Sequence, residues 1–429
     1  MGQLGAQRTQ VSSWALFDFA NSVLVVNGGL YFSQWLVLDN GVNESWYNLA
    51  ISLTSLCLLI TGPAFGVLGD QKSISMGVLR LTALTMFILT VGISLVGQEV
   101  TNLSVRVTIS LLFFVGINYS YQLSLLFYNA LLGHVAPRTH YGRVSGIGLA
   151  SGWIGAVVGL AVIVPFVQGR IPPFQPAGRI QAFLPAALLF GILVVVSLSR
   201  LREPPRHNPR RDLAQTHWRQ LWADLRRLWA SRSLLCFFLV YILVSDAILT
   251  VQNNMPLYLE IVMGFTDRAK ALLIMMFLTM SAIGAWSAGH LADRVGLKRV
   301  FSWIIVAWAL FLILMAFSWQ RAAFVGVFGV LGALFGAFWA TARALLTTLV
   351  PEDRRNTYFG LYVGFDRLAS LIGPLIWIVP VTVVADLGPD RYRLAVCVMA
   401  ALILASIPLL RGVRADGLGE RNRDAGGIA

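Results

Sequence analysis

Charge is scarce in this chain: 12% of its 429 residues are Asp, Glu, Lys or Arg, whereas 57% are hydrophobic and the mean hydropathy is +0.72. So little polar surface could not cover a soluble fold of this length, which excludes a water-soluble globular protein and points to a bilayer. Cysteine is nearly absent too. Cys57, Cys236 and Cys397 each sit inside an apolar run, so no disulfide or metal framework is encoded. The five histidines, His134, His140, His207, His217 and His290, show no metal-ligand spacing and fall in loops or at helix ends. A Gly-x-x-x-x-Gly-Lys-Ser/Thr phosphate loop is missing, which leaves ATP-driven pumping unsupported. Neither a nucleophile elbow nor a pair of catalytic carboxylates occurs. No enzymatic activity, metal site or cofactor is expected. Lysine is down to three residues against 30 arginines, a usage that points to a GC-rich bacterial genome and so to a bacterial plasma (inner) membrane.

What the chain has in quantity is long apolar runs. A helix spanning hydrocarbon needs about 20 largely apolar residues, and the runs predict twelve helices, over 12–36, 45–69, 77–97, 104–135, 143–167, 181–201, 233–261, 268–291, 300–319, 322–350, 359–384 and 393–411. Six precede and six follow the one long hydrophilic break. The reading is an all-α polytopic membrane protein with a six-helix bundle over 1–201, a linker over 202–232, a second bundle over 233–411 and a tail over 412–429. The first run contains Ser13-Trp14-Ala15-Leu16-Phe17-Asp18 and lacks a basic n-region and a small-residue cleavage site, so it is expected to stay as the first helix.

With the N-terminus placed inside, 23 of the 33 Lys and Arg fall in loops and tails on that side, 8 on the other and 2 within helices. This asymmetry puts both termini in the cytoplasm. It also makes the net charge of +13 topological, not a nucleic-acid surface. The linker carries Arg202, Arg206, Arg210, Arg211, Arg219, Arg226 and Arg227, with Pro204, Pro205 and Pro209 at its start. Within it Trp218, Leu221, Trp222, Leu225, Leu228 and Trp229 recur at helical spacing, which predicts a helix lying on the inner leaflet, a solvated connector being the alternative. The charged, glycine-containing tail is expected to be disordered.

The halves repeat each other. Ala130, Leu131, Leu132, Pro137, Gly146 and Gly159 recur 214 positions later as Ala344, Leu345, Leu346, Pro351, Gly360 and Gly373. A duplicated membrane bundle explains the coincidence, and such duplications build many secondary transporters around a central site. Glycines at helical spacing, Gly148, Gly152, Gly155 and Gly159 in the fifth run and Gly332 and Gly336 in the tenth, let backbones approach closely.

Polar side chains inside hydrocarbon are costly and mark sites of interest. In the fourth run Asn118, Tyr121, Gln122, Tyr128 and Asn129 fall on one helical face, which must line a wet cavity or bond a neighbouring helix. The first run shows the same pattern with Asp18, Asn21, Ser22, Gly28 and Gly29, the seventh with Asp246, Thr250 and Asn253, and the tenth with Gly336, Trp339, Arg343 and Thr347. At ~1.5 Å per residue, Asp246 lies roughly 20 Å from the start of its helix, whereas Asp18, Arg343 and Asp366 lie about 10 Å in from their cytoplasmic ends. Asp246 is therefore the candidate proton site, or else a permanently hydrogen-bonded structural carboxylate. Arg343 and Asp366, with Arg367 beside them, share a layer on consecutive helices. They are expected to pair when the cytoplasmic mouth closes; a static pair, or an Arg343 that holds a substrate carboxylate, competes with that reading.

Between the eighth and ninth runs stands Gly289-His290-Leu291-Ala292-Asp293-Arg294-Val295-Gly296-Leu297-Lys298-Arg299. It resembles the cytoplasmic-loop signature of the major facilitator superfamily, Gly-x-x-x-Asp-Arg-x-Gly-x-Lys/Arg-Arg/Lys. The counterpart in the first half, Gly66-Val67-Leu68-Gly69-Asp70-Gln71-Lys72-Ser73, keeps the glycine and aspartate but not the arginine or second glycine. Trp14-Ala15-Leu16-Phe17-Asp18-Phe19-Ala20-Asn21-Ser22, Phe127-Tyr128-Asn129-Ala130-Leu131-Leu132 through Gly142-Arg143-Val144-Ser145-Gly146, and Tyr358-Phe359-Gly360-Leu361-Tyr362 through Gly373-Pro374 resemble its vacuole-effluxer branch. Fungal members of that branch are autophagy-related and implicated in exporting amino acids from the vacuole.

The resemblance implies the major facilitator fold, two pseudo-symmetric six-helix bundles working by alternating access, with helices 1, 4, 7 and 10 around a central cavity. It places Asp70 and Asp293 at the cytoplasmic N-termini of helices 11 and 5, as latches of the outward-open state, with Arg143 as partner of Asp293 and Arg294 in the same gate. The expected function is proton-linked export of a small polar or zwitterionic solute such as an amino acid. Asp18, Asn21, Asn118, Tyr121, Gln122, Asn129, Thr250, Asn253, Trp339 and Arg343 would line the cavity, Asp246 would carry the proton, and Asp366 and Arg367 would join the gate. Partners are the solute, protons and the lipid bilayer, with no obligate protein partner and no nucleic acid. A passive facilitator, a drug or sugar transporter of the same fold, and a non-transporting sensor or scaffold are the alternatives.

Overall fold

A computed structural model describes residues 2–72, 74–202 and 217–413; Arg206, Arg210, Arg211 and the tail beyond 413 lie outside the described residues. Among the described residues, twelve helices are long and apolar enough to cross a bilayer. They are α1 (Gly2–Gln34), α2 (Ser45–Lys72), α3 (Ser75–Glu99), α4 (Leu103–Ala130), α5 (Tyr141–Val167), α6 (Phe183–Arg200), α7 (Arg232–Leu257), α8 (Asp267–Val295), α9 (Leu297–Ala316), α10 (Arg321–Leu349), α11 (Arg355–Val383) and α12 (Asp390–Ser406). All twelve fall where the apolar runs predict them. The two shortest, α6 and α12, reach spanning length through the adjoining 3₁₀ turns Arg179–Ala182 and Ile407–Gly412.

The helices form two pseudo-symmetric bundles, and the repeat extends further than sequence identity reveals. Helices α1 and α7 both close in a π-turn, Trp35–Asp39 and Tyr258–Val262, followed by Gly41 and Gly264 with φ of 64° and 63°. Positive φ suits glycine, which has no Cβ to clash. These matching features are 223 residues apart, so α1 and α2 repeat at one offset and α4 and α5 at 214. The nine-residue change of register falls between Asp70/Asp293 and Asn129/Arg343, a stretch in which α9 (20 residues) is shorter than α3 (25 residues).

The bundles meet along α2 with α11 and α5 with α8. At the first seam a Cβ built on Gly360 would lie 2.8 Å from the Gly62 carbonyl oxygen; at the second, one built on Gly146 would lie 3.2 Å from the Gly289 Cα. Gly146 and Gly360 are repeat equivalents, so one crossing is made twice. Within the bundles, Gly152 and Gly155 admit α1 against α5, and Gly332 admits α8 against α10.

The linker helix, His217–Ala230, differs from the expected single apolar stripe. Leu221, Asp224 and Leu228 turn inward onto α2 and α7, while Trp222 and Trp229 stay exposed. A buried carboxylate in the middle of its inner face anchors the helix to protein, which spacing of apolar residues does not reveal. The side chains of Trp218 and Arg219 lie outside the described residues.

Candidate functional site

Two carboxylates clamp the seams at the end bearing the α2–α3 and α8–α9 loops, here called the basic end. Each helix start carries free N–H groups and a partial positive charge. Pro137 and Pro351 precede the 3₁₀ turns Arg138–His140 and Glu352–Arg354, which lead into α5 and α11. Asp70 Oδ1 accepts from the Asn356 N–H (3.0 Å) and Asn356 Nδ2 (2.9 Å); its Oδ2 accepts from the Thr357 N–H (2.8 Å) and Thr357 Oγ1 (2.7 Å). Asp293 accepts from the Gly142 and Arg143 N–H groups, each at 2.9 Å. The acceptors sit 223 apart and the donors 214 apart, so this too is one contact made twice. Arg143 serves Asp293 through its backbone and not through its guanidinium, which is exposed; Arg294 is exposed as well.

Between the clamps, Arg343 of α10 enters the opposite bundle. It is 3% exposed. Its Nε donates to Ser145 Oγ at 2.9 Å, Nη1 to Asn129 Oδ1 at 3.0 Å and Nη2 to the Ser145 carbonyl at 2.6 Å. The guanidinium also lies over the Trp14 ring, 4.8 Å from its centroid. The expected Arg343–Asp366 pair is therefore not formed although this mouth is closed. The α10 face bearing Arg343 turns across the seam to α4 and α5, whereas Asp366 is held within its own bundle. A second arginine, Arg355, reaches across in the same way, Nη2 donating to Tyr141 Oη at 2.9 Å. Asn129 and Arg343, and likewise Tyr141 and Arg355, are 214 residues apart. Equivalent residues that touch each other lie on the pseudo-two-fold axis.

The remaining polar residues divide. Asp18 lies against Gly152 and close enough to Arg343 for their charges to interact, but it is only 6% exposed. Asn21 is fully buried with both amide atoms unpartnered, so it does not face an open cavity. Asn118 donates to the Phe114 carbonyl of its own helix and borders a narrow void inside the first bundle with Gly28, Gly29 and Thr90, not the centre. Gln122 is half-buried and Asn253 exposed. At the centre, Tyr121 is within electrostatic reach of both Asp18 and Arg367. Asp366 accepts from Arg367 Nη2 (2.5 Å) and Tyr241 Oη (3.1 Å), and the Tyr241 ring touches Tyr362 and Trp339.

Asp246, 2% exposed, stands apart from that cluster and grips α11 from α7. Its Oδ1 accepts from the Gly373 N–H at 2.7 Å, beside the buried, unpartnered hydroxyl of Thr250. A Cβ on Gly373 would come within 2.9 Å of the Asp246 Cγ. Gly373→Ala is accordingly expected to overpack this crossing by about 1–3 kcal/mol, read as a lowered melting temperature in detergent. An unchanged melting temperature would show that α7 and α11 yield freely there.

A protein-family model described as "Vacuole effluxer Atg22 like" matches residues 40–418. The chain belongs to that family. YxiO, an MFS-type transporter of Bacillus subtilis (strain 168), is 24% identical over 93% of this chain and 95% of its own length. Autophagy-related protein 22 of Kluyveromyces lactis is 23% identical over 46% of this chain and 41% of its own. The multidrug resistance protein MdtG of Serratia proteamaculans is 25% identical over 87% and 85%. Among solved structures, an outward-facing bacterial homologue of the iron transporter ferroportin aligns with TM-score 0.71 at 14% identity over 95% of this chain and 98% of that one. The proton:xylose symporter XylE aligns with TM-score 0.65 at 14% over 95% of each. The fold is that of the major facilitator superfamily, and the chain is an Atg22-like integral membrane transporter of it.

In this Atg22-like chain the central residues that sequence reading missed are Tyr241, Tyr362 and Ser145. Tyr241 lies 223 positions after Asp18, and Asp366 lies 214 after Gly152. In the first bundle, then, a carboxylate on α1 faces glycine on α5; in the second, a tyrosine on α7 faces a carboxylate on α11. The pairing was open to discovery from the offsets, but the exchange of residue types hides it from any search for identities.

Proposed function

We propose that this protein exports a small zwitterionic solute, such as an amino acid, in exchange for protons, alternating between the state described here, closed at the cytoplasmic end, and one closed at the other. The observation that carries the reading is the central Asp366–Arg367 pair, whose side chains are 13% and 21% exposed beside Tyr121, Tyr241 and Trp339. A zwitterion matches such a pair: its ammonium can take Asp366 and its carboxylate Arg367, so each buried charge keeps a partner. Arg367, not the deeply engaged Arg343, is then the solute's arginine.

Asp246 suits the proton because it is held by the neutral Gly373 N–H and no cation pairs with it among the described residues. Helix α11 carries Gly373, the Asp366–Arg367 pair and the Asn356–Thr357 clamp, so one rigid element touches proton site, solute site and gate. Kinship with MdtG and the ring cluster favour an amphiphilic drug as the second reading.

The test is uptake of labelled amino acids into proteoliposomes under an imposed pH gradient, comparing the native protein with Asp246→Asn. Accumulation that collapses to equilibration in the variant is the expected outcome. No flux from folded protein would reject the amino-acid assignment and move the search to amphiphiles; identical accumulation in Asp246→Asn would remove Asp246 from the coupling.

A further inference from the structure

The linker helix is joined to the start of α7 by Ser231 alone and packs on α2 and α7. Its inner face is fixed by an ion pair between Asp224, fully buried, and Arg354, with Arg227 Nη1 3.4 Å from the same Asp224 oxygen. Burial pushes the Asp224 carboxyl up from its ordinary value and the two arginines oppose that shift. Arg354 is the last residue before α11, directly followed by Arg355 on the axis and by Asn356 and Thr357 in the Asp70 clamp. The helix thus holds the strand of chain on which the closed basic end depends.

Its outer face has no protein partner among the described residues for its two tryptophans, Trp222 and Trp229, which are 64% and 68% exposed. Arg226 lies between them at i+4, and all three share a face; Arg227, 57% exposed, flanks it. Indole rings beside the start of a spanning helix belong at a membrane interface. Guanidinium groups interleaved with them offer planar, paired donors to phosphate oxygens. An aromatic and purely basic face in that position is complementary to anionic lipid.

We propose that the Trp222–Arg226–Trp229 face binds the headgroups of anionic phospholipids in the cytoplasmic leaflet, and that lipid bound there holds the cytoplasmic mouth closed through Asp224 and Arg354. The proposal rests on the gate described above and is independent of which solute or ion is carried.

The experiment uses protein with Cys57, Cys236 and Cys397 replaced by Ser and spin labels on Arg138→Cys and Arg299→Cys, exposed positions at the basic ends of opposite bundles. Distance distributions are compared in nanodiscs of phosphatidylcholine with and without phosphatidylglycerol, with lipid adducts counted by native mass spectrometry. Phosphatidylglycerol is expected to raise the ratio of closed to open molecules, by up to about fivefold for each arginine that engages lipid in the closed state alone. Trp222→Ala/Arg226→Gln/Trp229→Ala, changed only at exposed positions, should lose both the adducts and the response. Asp224→Asn should keep the adducts and lose the response.

A closed population indifferent to phosphatidylglycerol would overturn the proposal, and so would a triple variant that responds like the native protein. Retention of the response in Asp224→Asn would overturn the route through Arg354. Soluble glycerol phosphate is expected to do nothing; if it reproduced the effect, a free anion and not a membrane lipid would be the ligand.

Discussion

Replacing Arg343 by Gln is expected to shift the protein away from the state closed at its basic end by about 3 kcal/mol, roughly a hundredfold in population. Three hydrogen bonds from a charged group are lost, each worth ~1.5–3 kcal/mol when taken singly, and neighbouring bonds do not add in full. The same change leaves Asp18 buried without the cation beside it, a further cost that falls on the closed state, because opening already withdraws Arg343 from the first bundle. Asp18→Asn/Arg343→Gln should therefore regain part of the closed population lost in Arg343→Gln, while the three missing hydrogen bonds keep it more open than the native protein. Distances between labels on Arg138 and Arg299 report the opening. If Arg343→Gln stayed closed, the arginine would be filling space at the seam and the two aspartate clamps would suffice.

The second large effect inverts what motif strength suggests. Asp293 stands in the intact signature and Asp70 in the eroded one, yet Asp70 accepts four hydrogen bonds and Asp293 two. With charge-assisted bonds at ~1.5–3 kcal/mol that do not add in full and a helix N-terminus contributing up to about 2 kcal/mol for a partly buried carboxylate, Asp70→Ala should open the mouth roughly a thousandfold and Asp293→Ala roughly a hundredfold. The erosion of the first motif is compensated by Asn356 and Thr357, whose side chains supply the extra donors; Gly142 and Arg143, at the equivalent positions, contribute backbone alone. Asn356→Ala/Thr357→Ala should bring Asp70 down to the level of Asp293. Equal effects from Asp70→Ala and Asp293→Ala would mean that the side-chain bonds carry no weight.

Much of this architecture was legible in the sequence because hydrocarbon forces its hand: twelve apolar runs, a basic bias in alternate loops, and two aspartates placed by a recognisable loop. Spacing along one helix names a face but not the neighbour that the face meets. Arg343 was matched to Asp366 because both lie at the same depth, whereas the rotation of α10 sends it to Ser145 and Asn129. Asn118 shares its helical face with Tyr121, yet it borders a void within one bundle, since a face wide enough to hold both residues meets more than one neighbour. The linker stripe failed for a related reason. Leucine and tryptophan count alike as apolar, and only Asp224 distinguishes the side that meets protein from the side that is left open.

The two contacts on the pseudo-symmetry axis set a limit on how such a lock can be built. A residue at a two-fold axis faces its own counterpart, so two copies of an identical half would set arginine against arginine or asparagine against asparagine, a repulsion or a weak bond. Arg343 against Asn129 and Arg355 against Tyr141 require the counterparts to differ. A central bolt of this kind is available to a single chain whose halves mutate independently, and is closed to a homodimer of half-length subunits.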